Sequence, residues 1–336
     1  MAYVGVDCGT YNLVCTIRNK EGDFVHKREV NAFIEFPLEN DFVFKMMKKS
    51  GVPLIEKENV AYALGEAAVT IASTLPTIEL KRPMKDGCVN PKEKDSFQIM
   101  NIMMHSLIGE AKSGDIIYYS IPANAVNEET DADYHNKILE AIFKAYKDEN
   151  GFGIVAKPIN EALALVYSEL AHKMYTGVAC SFGAGMVNIC FAIYGKDMFT
   201  FSIVNSGDWI DKQAAKATGE SIAFINKEKT KIDLDKEPTT LVERAIITQY
   251  KLMIEKTVAA IKHGLENNSD KKAKLDAPID VVIAGGTSSP NGFEKFFAKV
   301  LKEANLPMQI GEIIKPKDPL YSVGRGCLIA AEASGE

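Results

Sequence analysis

The chain has 336 residues, of which 46% are hydrophobic and 25% are charged, and its formal net charge is -6. This length allows two or three domains, since a domain typically holds about 100–200 residues. The acidic balance excludes a protein whose main task is to coat nucleic acid, because neutralising phosphates needs an excess of Lys and Arg. The sequence has neither an apolar run of transmembrane length nor a signal-peptide pattern, so we expect no membrane span and a cytoplasmic location.

Cysteine and histidine residues are scattered along the chain. No C-x-x-C pair occurs, and no histidine is spaced with another histidine or a cysteine as a zinc ligand would be. We therefore expect reduced cysteines in the core and no zinc site. The cysteines are Cys8, Cys15, Cys88, Cys180, Cys190 and Cys327.

Short β-rich runs alternate with longer helical runs along the chain, which is typical of an α/β protein. Strands are predicted at residues 3–6, 13–18, 116–121, 178–180, 187–193 and 281–284. Helices are predicted at residues 93–108, 131–146, 161–174, 239–263 and 292–303, where apolar residues recur at intervals of three and four.

One strand-turn-strand pattern occurs twice. Residues 6–14 contain a strand, a tight glycine turn and a second strand, and residues 180–188 repeat this outline 174 positions later. The offset is close to half of the chain. The repeat predicts two related lobes that each contribute one turn to a shared cleft.

The glycines of these turns, Gly9, Gly183 and Gly185, allow close approach of a ligand to the backbone. Successive backbone N–H groups in such a turn can bind an anion such as a phosphate. Asp7 ends the first strand, where a carboxylate could hold a hydrated Mg²⁺ beside that phosphate. The alternative is a pair of ordinary hairpin turns with a capping aspartate.

Two more glycine segments follow in the second half of the chain. In residues 280–293 a predicted strand leads into Gly285 and Gly286 and then into a helix, a layout that brings backbone against a ligand. Residues 319–331 supply small side chains where a helix passes close to another element. Tight helix packing is the alternative explanation for both.

The order of these segments resembles the actin, heat-shock chaperone and sugar-kinase ATPase superfamily. Its five recurring segments correspond here to residues 4–17, 157–168, 177–193, 281–293 and 319–331. The resemblance implies a two-lobed actin-like fold, a duplicated ribonuclease-H-like α/β arrangement. ATP or ADP with Mg²⁺ would bind in the cleft between the lobes.

Within this superfamily the sequence looks most like the prokaryotic actins of the MreB and magnetosome-organising types. Residues 82–87 match their R-P-x-x-D-G turn, residues 61–68 match their V-G-x-E-A helix entry, and residues 206–211 match a G-D-x-x-D helix start. This likeness implies a filament-forming cytoskeletal protein that associates with itself, and it identifies no cargo.

The resemblance also implies roles for individual residues. Asp7 would hold the metal, and Lys227 with Glu228 would contact the nucleoside, although a solvated helix end is the alternative for these two. The remaining nucleotide-binding positions are Gly9, Thr10, Tyr11, Asn12, Ser181, Gly183, Ala184, Gly185, Gly285, Gly286 and Thr287.

Glu161 is the predicted catalytic residue. It follows Pro158 and Asn160, which indicate a helix start. It matches the Gln or Glu that actins and MreB proteins use to position the attacking water. The alternative is a first-turn acid that the helix dipole favours.

The sequence departs from the family pattern in the second turn. Ser181 stands where these ATPases have an aspartate, and Ala184 and Met186 replace residues that are more often Gly and Thr. A hydroxyl brings no negative charge to the metal site. We therefore expect ATP hydrolysis that is slower than in most relatives.

The expected first lobe spans residues 1–156, with a small subdomain at about 31–73 and the C-terminal residues 318–336 returning to it. The second lobe would span 157–317, with a small subdomain at about 206–262. The segment from Asn31 to Ile71 is rich in apolar residues, which we expect to form subdomain core rather than an interface.

Two other functions stay open at this point. A small-molecule kinase of the same superfamily would need a catalytic aspartate in the cleft, for which the sequence offers no compelling candidate. A nonpolymerising chaperone-like or reactivating ATPase is the other.

Overall fold

The computed structural model describes residues 2–37, 41–50, 54–57, 60–75, 78–110, 112–147, 151, 153–268 and 277–335. Its strands are β1 (Tyr3–Cys8), β2 (Asn12–Arg18), β3 (Phe24–Val30), β4 (Phe33–Pro37), β5 (Leu54–Lys57), β6 (Val60–Leu64), β7 (Met84–Lys85), β8 (Cys88–Val89), β9 (Ile116–Ile121), β10 (Val155–Asn160), β11 (Gly177–Phe182), β12 (Val187–Ile193), β13 (Lys196–Ile203), β14 (Ile279–Ala284) and β15 (Ile310–Ile314). Its helices are α1 (Asp41–Lys49), α2 (Gly65–Thr74), α3 (Ser96–Ile108), α4 (Ala132–Lys144), α5 (Glu161–Glu169), α6 (Gly207–Thr218), α7 (Ile222–Lys229), α8 (Leu241–Asn267), α9 (Phe293–Glu303) and α10 (Ser322–Gly335). This alternation confirms the α/β class.

Two five-stranded sheets have the same topology. The first has the order β10-β9-β1-β2-β3, and the second has the order β13-β12-β11-β14-β15. In each sheet a central strand pairs antiparallel with the strand that follows it in sequence and parallel with a strand from later in the chain. β11 begins 174 residues after β1, so the short sequence repeat corresponds to a repeat of the whole sheet.

Helices cover the outer face of each sheet because their apolar residues share one side. In α9, Phe293, Phe297 and Leu301 recur every four residues, and all three are buried in the core of the second sheet. In α3, Met100, Met103 and Met104 belong to the core of the first sheet in the same way. Each sheet therefore has its own hydrophobic core.

A third core lies between the sheets. It joins residues of α5 and α10 to strands β11, β12 and β14, and α10 also packs on β1. Small residues allow this packing: a Cβ on Gly326 would overlap the carbonyl of Ala164, and a Cβ on Gly5 would overlap that of Gly324. The C-terminal helix thus returns to the first sheet.

A small antiparallel sheet, ordered β4-β6-β5, lies within the apolar segment from Asn31 to Ile71. Phe33, Ile34 and Phe44 are buried in its core, as expected. Phe42 and Met46 of α1 are instead exposed, because they lie on the helix face opposite that core. The side chain of Val43 lies outside the described residues.

The element boundaries differ from expectation at a few ends. The helix expected at 161–174 ends at Glu169 and continues as a short 3₁₀ turn at Ala171–Lys173. Helix α8 begins after Thr240, which forms a capping box with Glu243. All six cysteines are buried. Among the described helices, none combines the length and apolar character of a membrane-spanning segment.

Candidate functional site

A cavity of about 660 Å³ lies where the two sheets face each other. The β1–β2 turn and the β11–β12 turn both line it, together with the loop after β14 and the end of α7. Glu161 also lines it. The structure therefore brings together the two turns that were paired by their repeat in the sequence.

The β1–β2 turn places a partly buried carboxyl at the cavity. Asp7 Oδ1 accepts a hydrogen bond from the Ser120 hydroxyl at 3.0 Å, and that hydroxyl accepts one from the Cys8 backbone N–H at 2.9 Å. Asn31 donates to the carbonyl of Gly9 at 3.1 Å, which holds the turn against β4. Asn12 lines the cavity, and its buried Oδ1 has no hydrogen-bond partner among the described protein atoms.

Ser181 and Asn188 face each other across the β11–β12 turn as cross-strand partners. The Ser181 hydroxyl donates to Glu161 Oε1 at 2.6 Å, and the Asn188 amide donates to Glu161 Oε2 at 2.8 Å. Both oxygens of the Glu161 carboxyl are thus held by the second sheet. Glu161 itself belongs to a different element, the first residue of α5.

The chain turns from β10 into α5 at a side-chain cap. Asn160 Oδ1 accepts from the backbone N–H groups of Ala162 and Leu163 at 3.0 and 3.2 Å. The predicted helix start at Asn160 is correct, and the cap fixes the direction in which Glu161 leaves the backbone.

Burial makes the two carboxyl groups weakly acidic. Loss of solvent raises the pKa of Asp7 to about 7, against the lowering effect of the Ser120 hydrogen bond. Loss of solvent, with a further contribution from the charge of Asp7, raises the pKa of Glu161 to about 8. A cation at this site would favour the ionised forms.

A hydrated Mg²⁺ fits the donor set around Asp7. The carboxyl receives one hydrogen bond, from Ser120, and so keeps acceptor capacity. Asn12 Oδ1, which has no hydrogen-bond partner among the described protein atoms, is a second oxygen ligand available to a metal ion in the same cavity. Magnesium prefers such oxygen ligands and keeps several waters of its own.

The loop after β14 packs directly on the second turn. Gly285 has φ of +94°, and a Cβ there would overlap the backbone of Phe182. The Thr287 hydroxyl donates to the carbonyl of Gly183 at 2.7 Å. Gly285, Gly286 and Thr287 all line the cavity, where the sequence had placed them.

Lys227 and Glu228 do not line the cavity. Asn226 and Lys229 do, because residues three apart share a helix face and Lys227 and Glu228 point elsewhere. The ammonium of Lys229 lies 2.7 Å from the buried carboxyl of Asp211.

Asn226 Nδ2 also lies 2.7 Å from that carboxyl. Asp211 is the last residue of the G-D-x-x-D segment.

A hairpin from the first half of the chain closes over the second turn. Strands β7 and β8 are joined by Asp86 and Gly87, both with positive φ, and Gly87 lines the cavity. Arg82 donates to both carboxylate oxygens of Asp208 at 2.9 and 3.1 Å, and Lys212 donates to Asp86 at 3.1 Å. These two ion pairs join the halves of the molecule.

Sequence reasoning missed several cavity residues. Ser120 and Asn188 are polar residues within predicted strands, and no motif distinguishes them. Asp208 belongs to the G-D-x-x-D segment without having been singled out, and Lys229 was passed over for Lys227. They become recognisable once the sheets are assembled, since each contacts a group from a distant segment.

The volactin family model matches residues 1–331. No curated protein sequence matches the chain significantly. Among solved structures, a double helical filament of MamK is similar, with a TM-score of 0.68, 15% identity and coverage of 98% of each chain. MreB5 of Spiroplasma citri bound to ADP has a TM-score of 0.66 and 14% identity over 99% of this chain and 96% of its own.

The ethanolamine utilization protein EutJ from Carboxydothermus hydrogenoformans has a TM-score of 0.54 and 18% identity over 98% of this chain and 90% of its own. At these identities the likeness shows the fold. The molecule has the two-lobed fold of actin-like ATPases, and the expected resemblance to that superfamily is confirmed.

Proposed function

Because this chain belongs to the volactin family and has a two-lobed actin-like fold, we propose that it is a cytoplasmic cytoskeletal protein that binds Mg²⁺ and ATP between its lobes and polymerises into filaments. The observation that carries this proposal is the convergence of two glycine turns and two partly buried carboxyl groups on one cavity. Its volume of about 660 Å³ is in the range of small-molecule sites.

The turns would hold the phosphates by their backbone N–H groups. In the first turn these are residues 9–12, and in the second turn residues 181–185. Asp7 would hold a hydrated Mg²⁺, which neutralises phosphate charge when bound. The nucleoside would lie toward Gly285–Thr287, with Asn226 and Lys229 in place of the originally expected Lys227 and Glu228.

Glu161 is suited to orient the water that attacks the terminal phosphate. It lines the cavity, and although burial raises its pKa, a cation bound beside Asp7 would favour the carboxylate form that can accept a proton. Ser181 and Asn188 already occupy one acceptor site on each of its oxygens. Because Ser181 supplies a hydroxyl instead of a second carboxylate, we propose that hydrolysis is slow.

The division into lobes is also a proposal. The expected boundary at residue 156 falls inside β10, which pairs with β9 in the first sheet over its whole length. The return of residues 318–336 to the first lobe is supported by the packing of α10 on β1. The small subdomains at about 31–73 and 206–262 contain the β4-β6-β5 sheet and helices α6 and α7 respectively.

High-speed pelleting with Mg-ATP, with Mg-ADP and without nucleotide tests polymerisation, and calorimetric titration of ATP in parallel tests binding. We expect tight Mg-dependent binding and a pellet that depends on ATP. Binding without a pellet, across protein concentration and salt, would contradict the filament and favour a kinase or a nonpolymerising ATPase. The test includes that alternative because EutJ also has a similar fold. Absence of binding would contradict the proposal as a whole.

Ser181→Asp tests the expected slow hydrolysis. A carboxylate here restores the charge that related ATPases use, so phosphate release should become about tenfold faster or more, which corresponds to ~1.4 kcal/mol in the barrier. Ser181→Ala is the matched control and should not accelerate release. A wild-type turnover equal to that of actin-like ATPases assayed alongside would contradict the expectation.

A further inference from the structure

Asn188 connects the carboxyl of Glu161 to a backbone group of the opposite lobe. It lies on β12 with a relative exposure of 1%, its Nδ2 donates to Glu161 Oε2 at 2.8 Å, and its Oδ1 accepts from the Ala123 N–H at 3.1 Å. We propose that Asn188 is a positioning residue that holds Glu161 in its working orientation only while the two lobes are in contact. This inference rests on the proposed ATP hydrolysis.

The orientation of the Asn188 amide is determined by its neighbours. A backbone N–H can only donate, so the amide oxygen must face Ala123, and the NH₂ group then faces Glu161. A flipped amide would place two donors against each other at Ala123 and two acceptors against each other at an ionised Glu161. The hydrogen bond to Ala123 therefore selects the donor that Glu161 receives.

Ala123 lies where the lobes meet. It follows β9 of the first sheet, and its carbonyl accepts from the Ser202 hydroxyl of β13 at 2.7 Å. The Ser202 backbone N–H donates to the carbonyl of Asn124 at 3.2 Å. Separation of the sheets at this seam would remove the Ala123 N–H from Asn188 and free its amide to rotate.

Ser181 provides an internal contrast. It is the cross-strand partner of Asn188 and donates to the other oxygen of Glu161 at 2.6 Å. Among the hydrogen bonds of the described residues, its hydroxyl makes none to the segment that contains Ala123. Ser181 should therefore hold Glu161 whatever the contact between the lobes, whereas Asn188 should hold it only in the closed arrangement.

Other titratable groups face Glu161, and they bear on any pH measurement. Asp7 and Cys8 approach from β1, and Cys327 approaches from α10. The thiols of Cys8 and Cys327 have pKa values raised far above neutrality by burial, so they stay neutral below pH 9. The charge of Asp7 raises the pKa of Glu161.

Three variants separate the two hydrogen bonds of Asn188. Asn188→Asp keeps an acceptor for Ala123 but places a carboxyl against Glu161. Asn188→Ala removes both bonds, and Ser181→Ala removes the other donor to Glu161 without touching Ala123. The measurements are hydrogen exchange of the Ala123 amide, the pH profile of single-turnover ATP hydrolysis, and ATP affinity.

We expect Ala123 exchange to be about tenfold faster in Asn188→Ala, as for loss of a buried hydrogen bond, and unchanged in the other two variants. In Asn188→Asp the acidic limb of the hydrolysis profile should move up by about one pH unit, because a like charge disfavours ionisation of Glu161. ATP affinity should stay within about threefold of wild type in the two Asn188 variants, since Asn188 acts on Glu161 rather than on the phosphates.

Unchanged Ala123 exchange in Asn188→Ala, or equal acceleration in Ser181→Ala, would overturn the link between the lobes. An unshifted pH profile in Asn188→Asp would overturn the positioning of Glu161. Failure of the proposed function looks different: wild-type protein would then bind no ATP or leave it intact. In that case the exchange measurement on Ala123, which needs no hydrolysis, still decides whether Asn188 bridges the lobes.

Discussion

The two turns that meet at the cavity have the same backbone plan and different chemistry. In the β1–β2 turn the acid belongs to the strand itself, as Asp7, and its hydroxyl partner Ser120 comes from a neighbouring strand. In the β11–β12 turn the strand supplies the hydroxyl, Ser181, and the acid is Glu161 from outside the turn. A repeated backbone can therefore carry an unequal distribution of charge.

Because of this difference, the two turns have different roles in the proposed site. The first turn can hold a cation, because its carboxyl keeps free acceptor capacity. The second turn carries no carboxylate of its own, and its side chains Ser181 and Asn188 donate the hydrogen bonds that fix the carboxyl of Glu161.

The largest effect should be on the pH dependence of stability. Burial raises the pKa of Glu161 to about 8, so the unfolded chain, with an ordinary glutamate, releases this proton at much lower pH. The ligand-free protein should therefore lose stability as the pH rises from about 4 to about 8. Glu161→Gln should remove the part of that slope that Glu161 contributes and leave the part from Asp7, whose pKa burial raises to about 7. Urea unfolding at several pH values measures it, and an unchanged slope in the variant would show that Glu161 is ordinary in the folded state.

Asp7→Asn should abolish the effect of Mg²⁺ on nucleotide binding. Loss of a charged ligand costs about 1.5–3 kcal/mol, so ATP affinity in Mg²⁺ should fall by ~10–100-fold while affinity in EDTA changes little. Ser181→Ala, the matched change in the other turn, should leave the Mg²⁺ effect intact. Calorimetry with and without Mg²⁺ measures both. Equal loss of the Mg²⁺ effect in the two variants would remove the contrast between the turns.

Gly185→Ala should weaken the contact between the lobes. A Cβ on Gly185 would overlap the backbone N of Gly87 across the cavity, whereas a Cβ on Gly9 would meet Asn12 of its own turn at 2.6 Å. Overpacking of this kind costs about 1–3 kcal/mol. A lowered melting temperature together with faster hydrogen exchange in β7 and β8 is expected for Gly185→Ala.

Gly286→Ala is the control for that change, because its Cβ would make an ordinary contact with Leu320 at 3.8 Å. It should melt close to wild type. In Gly9→Ala, exchange in β7 and β8 should stay normal. Faster exchange there in Gly9→Ala would mean that the first turn also controls the contact between the lobes.

The smallest effect should come from the ion pair between Arg82 and Asp208. Their side chains are 25% and 16% exposed, and Arg82 contacts both carboxylate oxygens. A double-mutant cycle with Arg82→Ala and Asp208→Ala should give a coupling free energy of about 1 kcal/mol. The same cycle on Lys48 and Glu56, a more exposed pair, is the comparison and should give less. Equal values would mean that the partly buried pair does not stabilise the closed arrangement.

Much of the fold followed from local pattern. Residues 187–193 and 116–121 form strands as predicted because each run is dense in β-branched and aromatic residues. The start of α5 at Asn160 followed from its capping residue. The helix ends were less accurate, because the residues around 170 keep an apolar spacing although the chain there tightens into a 3₁₀ turn.

The candidate site followed from the sequence only where a motif marks it. Gly9, Gly183 and Gly285 were identified because each stands in a turn after a predicted strand and the order of these turns along the chain resembles that of a known superfamily. Lys229 was missed in favour of Lys227, because three lysines lie within five residues of each other. Only the packing of α7 against α6 and α8 decides which of these lysines faces the cavity. Asn188 had no local signal at all.

The sequence by itself determined the α/β class and the glycine turns, because these depend on neighbours within a few residues, and comparison of its two halves revealed the repeat. Tertiary structure alone decided which donor meets which acid. The contacts of Asp7 with Ser120 and of Asn188 with Ala123 join residues 113 and 65 positions apart. Such pairs form only when sheets assemble, and their burial then sets the ionisation of the carboxyl groups.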